Sequence, residues 1–439
     1  MKSINMDQKH VITIDQEAEI MNAQMHKPPK LLQKLSGKSS CCIFRVPQSL
    51  AEINKEAYRP RIVSIGPYHY GNKDLEMIQE HKWRFLSDMV TRTGKPLGFF
   101  MNIILSMEDK IRECYSESID HFAKNDLAKM MVLDGVFLIE LFTKVGKLSP
   151  THSDDPIFKM AWISPFLMRD VLKIENQIPF FVLQELFEKS EPSTRTLQSL
   201  ILEFFNYMVD REPEVLEKCE NLDGKHLLDF FRKSFTITKK TNHPTTNIPN
   251  KSSLKLIQPA TKLVTARVRF KANHQADSFL DVKFHKGLLS IPLVNMDEFF
   301  TSFFLNCMAF EQCYHQCSKD VTAYVVFMGC LMRTSADVSL LNQNKIIENY
   351  FGTDKEIAKF FNEAGKDLVF DINNNYLTVV FVELNKYCNN GWHVGWARFM
   401  HTYFQSPWAS ISAFAAFMLV SLAVLQTIYI VYSYYHEKH

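Results

Sequence analysis

Cys307, Cys313, His315 and Cys317 crowd thiol and imidazole groups into one short stretch, and these are donor types that hold zinc. Helical geometry separates them. The run DEFFTSFFLNCMAFEQCYHQC at 297–317 reads as helix. At 3.6 residues per turn, Cys313 and Cys317 share a face, while His315 lies about 200° and Cys307 about 240° away. The C-x2-C spacing of common zinc modules is also missing. Buried thiols are the expected role, with no metal site and no cofactor.

Asp134 and Glu140 interrupt the apolar run MMVLDGVFLIELF. Paired carboxylates do acid–base chemistry, but six residues apart on a helix they point to different faces. A carboxylate bonded to a neighbouring loop backbone is the expected role, because buried polar groups must be bonded. Glu175, Asn176 and Gln177 sit between Leu172–Ile174 and Ile178–Phe181, just before Pro179. Proline removes a donor and ends or kinks a helix. Three hydrogen-bonding side chains at that place fit either a network tying up the freed carbonyls or a binding pocket.

Other catalytic signatures fail on inspection. Gly37-Lys38-Ser39 has Leu32 where a phosphate loop needs glycine, and neither G-x-G-x-x-G nor H-E-x-x-H occurs. Ser64-Ile65-Gly66 is half a nucleophile elbow, with Ile62 in the glycine position and Pro67 following at once. No catalytic residue is assigned, although a Cys–His pair assembled in space remains open.

Charge narrows the partners. A net charge of +2 over 439 residues excludes a nucleic-acid coat. It hides one asymmetry: from Phe230 to Ala276 there are ten basic residues and no acidic one. Lys239, Lys240, Lys251 and Lys255 in this Pro/Asn/Thr-rich stretch are candidate contacts to an acidic partner or anionic lipid, or a solvated loop. Nine cysteines at irregular spacing suit reduced thiols in a cytosolic body better than a disulfide framework.

The elements that would position these residues are mainly helical. Residues 1–40 are expected as a mobile tail, helical around Ile14 to Met25, and 41–402 as one body. Ser49 and Glu52 suggest a capped short helix at 50–56. A long helix begins near Asp74, with Leu75, Ile78, Lys82, Phe85, Leu86 and Met89 on its inner face. Two helices over 100–147, split near 117–124, one at 164–189, and others at 195–209 and 224–232 complete the part 41–232. A basic loop spans 233–258. The period then changes to two across 264–292, which predicts a small antiparallel sheet with a turn at His285-Lys286-Gly287. Helices return over 296–402: 297–317, a core helix at 321–332, then 335–350 and 354–364, with an irregular segment at 365–390. The fold class expected is mainly α (α+β).

One stretch stands apart. From Ala409 to Tyr435 there is no charged residue, and the 21 residues Ile411–Val431 span about 31 Å as a helix, a hydrocarbon core's thickness. Tyr403, Phe404 and Trp408 lie at one end and Tyr429, Tyr432, Tyr434 and Tyr435 at the other, an aromatic belt. The segment 403–435 is therefore expected to be a single-pass anchor contacting lipid through Trp408, Ile411, Phe414, Leu419, Leu425 and Tyr432, with 436–439 a short tail. The start MKSINMDQKHVITIDQEAEI has no apolar leader core. Lys386 and Arg398 before the helix, against Lys438 after it, favour a cytoplasmic body. A tail-anchored protein follows, with the plasma membrane as a candidate location.

Several blocks in order carry a resemblance. IFRVPQSL, AYRPRIVSIGPYHYG and QEHKWRFL open the series, followed by IRECYSESI, MMVLDGVFLIELF, DVLKIENQIPFFVLQELF, SFLDVKFHKGLLSIP and NCMAFEQCY. Together they resemble the plant family called domain of unknown function 247, over about 43 to 435. That family has no established enzymatic activity, and some members are implicated in self-incompatibility of grasses. The resemblance implies recognition or signalling through an unknown protein partner. A membrane-tethered hydrolase or transferase is the alternative.

Overall fold

The computed structural model describes residues 16–23, 25, 27, 32, 34–52, 54–190, 193–236, 255–350, 352–366, 368–389 and 407–436. Two compact units emerge, each from non-contiguous segments: 1–242 with 296–322 and 366–369, and 243–295 with 323–365 and 370–439. Mainly helical structure with a small sheet is the fold class observed. Of the expected tail, 16–23 are helical and exposed.

The principal helices of the first unit are α1 (Glu76–Thr93), α2 (Leu97–Leu105), α3 (Lys124–Val145), α4 (Ile163–Asp170), α5 (Phe180–Ser190), α6 (Leu197–Val209), α7 (Leu227–Lys233) and α8 (Glu298–Cys313). The inner face of α1 is the one its spacing requires: Ile78, Lys82, Phe85, Leu86 and Met89 are all buried. Gly94 stops it in the left-handed conformation, φ +66°, and returns its N–H to Val90 O. Helix α3 is buried all round from Met130 to Lys144, surrounded by α1, α2, α5 and α6. The many phenylalanines pack on each other. The Phe231 ring centroid lies 4.6 Å from Phe205 and 5.2 Å from both Phe235 and Phe303.

In the second unit, β1 (Arg269–Ala272), β2 (Lys283–His285) and β3 (Leu288–Ile291) form a sheet in the order β1-β3-β2. The β2–β3 hairpin is antiparallel and turns at Lys286-Gly287, whose φ values of +48° and +80° are those of a type I′ turn. The expected antiparallel pairing holds for the hairpin only. Strand β1 joins β3 in parallel, with Arg269 opposite Leu288, so the sheet is mixed. A second pair comprises β4 (Val294–Met296) and β5 (Ile347–Asn349). The unit's short helix Ala260–Thr265 precedes β1, and the longer helices that follow are α9 (Asp320–Leu331), α10 (Ser335–Gln343), α11 (Asp354–Ala364), α12 (Thr378–Cys388) and α13 (Pro407–His436). Capping boxes start α10 and α11, through Thr334 with Asp337 and Thr353 with Glu356.

Four expectations for local structure need correction. The short helix is Gln48–Ala51 with Pro47 at its N-cap, and Ser49 caps nothing. The helix expected over 164–189 is interrupted at 171–179, where side chains satisfy the backbone that a helix would leave to its own ladder. The segment near 347 is strand β5, because Lys345 at φ +56° breaks the preceding helix. Within 365–390 lies α12, which buries Val380, Phe381 and Leu384.

Helix α13 is the longest element. Taken singly, it is the one helix among the described residues that is long and apolar enough to cross a membrane, over Phe414–Tyr432, and none of that window is buried in protein. Ile411, Phe414, Leu419, Leu425 and Tyr432 are each at least 60% exposed. The Trp408 side chain lies outside the described residues.

Candidate functional site

The site lies wholly in the first unit and begins with an extended segment, Arg61–Gly66, that belongs to no sheet. Its backbone groups are met by side chains instead. Asp170 Oδ2 accepts from the N–H groups of Arg61 and Ile62, each at 2.8 Å, and of Val63 at 3.2 Å. Asn176 Oδ1 accepts from Ile65 N at 2.6 Å, and Asn176 Nδ2 donates to Val63 O and Asp170 O, both at 3.0 Å. Asp134 Oδ2 accepts from Gly66 N at 2.7 Å. Lys82 Nζ, 2.5 Å from Asp134 Oδ1, also donates to Ser64 O.

Every one of these polar side chains is buried and bonded, as the low-dielectric interior demands. Burial pushes the Asp134 carboxyl above its usual range, against the pull of Lys82 and Gly66 N–H. Gln177 completes the network. Its Nε2 donates to Val171 O and Lys173 O at 2.8 Å each, and its backbone O accepts from Tyr115 Oη at 3.1 Å. Gly66, at φ +76°, passes so close that a Cβ there would sit 2.4 Å from Gln177 O. Asn176 and Gln177 thus tie up the carbonyls freed at the break, and both are fully buried.

Glu175 turns the other way, to the floor of a cleft of about 710 Å³ lined also by Arg45, Lys55, Tyr58, Arg59 and His69. Its Oε1 accepts from Val46 N at 2.8 Å. Its Oε2 lies 3.3 Å from both Arg45 Nη1 and His69 Nε2. Burial works to raise the Glu175 carboxyl, but His69, Val46 N–H and Arg45 outweigh it and hold the group below its usual range. Arg45 is pinned in turn, with Nε on Glu117 at 3.1 Å, Nη2 on Tyr68 O at 2.9 Å and its guanidinium 4.6 Å over the Tyr68 ring. An imidazole beside a carboxylate is two parts of an acid–base apparatus. The cleft lining holds no serine, threonine or cysteine to act as nucleophile. A fixed carboxylate, guanidinium and imidazole under a rim of lysine and arginine suit the binding of a polar chain.

The remaining candidates are dispersed. Arg232, one of the ten basic residues, is buried between Asp229 at 2.9 Å and Glu311 at 3.3 Å and is closed to any partner. Lys255 is exposed; Lys239, Lys240 and Lys251 lie outside the described residues. Glu140 pairs with Arg92 and Lys144, remote in role from Asp134. Cys307 is buried, and burial pushes the Cys313 and Cys317 thiols up to about 11 and about 12, the mark of unreactive sulfur. Among the described residues, no three His, Cys, Asp or Glu side chains gather as a metal site. Sequence reasoning did not single out Arg45, His69 or Asp170. Their signal was position alone, inside the blocks IFRVPQSL, GPYHYG and DVLKIENQIPFF.

Those blocks converge here, and comparison with known proteins agrees with them. The profile of DUF247, described as plant protein of unknown function, matches residues 43–422. The chain belongs to this family. The DUF247 chain is 39% identical over 435 residues to the Arabidopsis thaliana "UPF0481 protein At3g47200", covering 94% of this chain and 90% of that one. It is 23% identical over 518 aligned positions to the "Putative UPF0481 protein At3g02645" of the same plant, covering 95% and 96%. No solved structure matches this DUF247 protein.

Proposed function

We propose that this DUF247 protein is a non-enzymatic, single-pass membrane protein that acts in recognition or signalling through protein contacts, with its body on the cytoplasmic side. The observation that carries the reading is helix α13. None of its residues Phe414–Tyr432 is buried in the protein, and exposed apolar area on this scale costs too much in water to persist. A hydrocarbon core is the solvent that suits it. Lys386 and Arg398 preceding the helix favour the cytoplasmic side, and the plasma membrane is one candidate location. Neither nucleic acid nor a cofactor enters the proposal.

The cleft at Glu175 supports contact with a protein partner, since its carboxylate, guanidinium and imidazole are tied to one another and to the backbone. The alternative, a membrane-tethered hydrolase or transferase, has the His69–Glu175 pair in its favour. Purified full-length protein in mild detergent, tested against esterase, protease and phosphatase substrates, separates the two. The proposal expects no turnover. Turnover lost on His69→Ala would overturn it in favour of the enzyme.

A further inference from the structure

Helix α13 carries polar side chains within its apolar span, and they are not equivalent. Ser421 Oγ donates to Phe417 O at 2.9 Å and Thr427 Oγ1 to Ala423 O at 2.8 Å, so both are satisfied by their own helix, as hydroxyls in membrane helices are. Gln426 makes no such bond among the described residues. It sits three residues beyond Ala423, the midpoint of Phe414–Tyr432, or about 4.5 Å from the centre of the span. A primary amide there has two donors and an acceptor in a medium with no water to meet them.

The residues on its face are mixed in size. At 3.6 residues per turn, Ser412, Ala415, Leu419, Leu422, Ala423, Tyr429 and Ile430 fall within about 60° of Gln426, while Phe417, Val424 and Ile428 lie on the opposite face. Ser412, Ala415 and Ala423 leave room for a second helix on the N-terminal part of that face, and the amide needs a partner that its own helix does not supply. We infer that Gln426 joins α13 to the same helix of a second copy of this chain, in a parallel dimer. The choice of partner follows from the amide itself. All copies inserted the same way place Gln426 at one depth, and an amide donates and accepts at once, so two of them about a two-fold axis satisfy each other. An antiparallel or staggered pair would separate the two amides along the axis. The inference rests on the membrane reading proposed above.

The test is energy transfer between donor- and acceptor-labelled full-length protein in phosphatidylcholine vesicles, as the protein-to-lipid ratio is lowered. Wild type is expected to associate, Gln426→Leu to associate on the order of ten-fold more weakly, Gln426→Asn to retain most of the association, and Ser421→Ala to match wild type. Equal transfer for Gln426→Leu and wild type, or no transfer in wild type that floats with its vesicles, would overturn the dimer and leave the anchor standing. Wild type that fails to float after an alkaline wash would overturn the anchor, and the dimer with it.

Discussion

Lys82 Nζ lies 2.5 Å from Asp134 Oδ1, joining α1 to α3 with both side chains at most 3% exposed. Neither partner is a surface charge, and each is bonded to the extended segment between them, Lys82 to Ser64 O and Asp134 to Gly66 N. The pair is thus the clamp by which two helices hold a strand that no sheet holds. Removing one member strands the other. Lys82→Met is expected to cost about 3–5 kcal/mol of stability, and Lys82→Met with Asp134→Asn less than Lys82→Met alone, because no charge is then left buried. Urea unfolding of the full-length chain in mild detergent, followed by fluorescence, measures both.

Gly66 tests the same segment through the backbone. At φ +76° and with Gln177 O in its path, Gly66→Ala adds a strained dihedral and a clash. A loss of about 2 kcal/mol or more is expected, against a smaller loss of about 1 kcal/mol for Gly71→Ala measured alongside, where a Cβ meets nothing within 4 Å and only the strain of the φ of +77° counts.

His226 makes stability depend on pH. Burial, the largest influence, lowers its imidazole from 6.5 to about 4. The ring bonds as a neutral group: Nδ1 accepts from Asp229 N at 3.3 Å and Nε2 reaches Cys42 O at 3.1 Å. Between pH 4 and 6.5 the unfolded chain binds a proton that the folded chain refuses, so stability is full above pH 6.5 and falls as pH drops toward 4. The contribution is on the order of 3 kcal/mol. Urea midpoints from pH 7.5 to 4.5 should fall more steeply for wild type than for His226→Gln; parallel slopes would refute the assignment.

Glu175→Gln keeps an acceptor for Val46 N but removes the charge shared by Arg45 and His69. A cost of about 1–2 kcal/mol is expected at pH 7. Because the wild-type carboxyl is held below its usual 4.5, the difference between the two proteins should vanish as pH falls below 4.5, and persist above it.

Local patterning carried much of this architecture. Leu75 to Met89 announced α1, the period change announced the hairpin, and the charge-free run announced α13. Asp134 and the Asn176–Gln177 pair were legible as bonded polar groups, since a polar residue in an apolar run must find a partner. Which partner was not legible. Asp170 meets Arg61–Val63 across more than a hundred residues, and His226 meets Cys42 across 184, distances over which no spacing rule operates. A stop or kink at Pro179 was legible, but the length of the break, 171–179, and strand β5 were not, because tertiary hydrogen bonds and a single left-handed residue override helical propensity. Helix α12 was legible and overlooked: Leu377, Val380, Phe381 and Leu384 follow the three–four spacing.

The central claim is that α13 crosses a membrane and leaves the body in the cytoplasm. Protease treatment of sealed plant membrane vesicles, cytoplasmic face outward, tests it directly, with a glycosidase shift reporting on Asn250-Lys251-Ser252, an N-x-[ST] glycosylation acceptor sequence. The account predicts that the body is digested without detergent, carries no glycan, and leaves a small protected fragment containing Phe414–Tyr432. A protected body whose mobility shifts with glycosidase would contradict it.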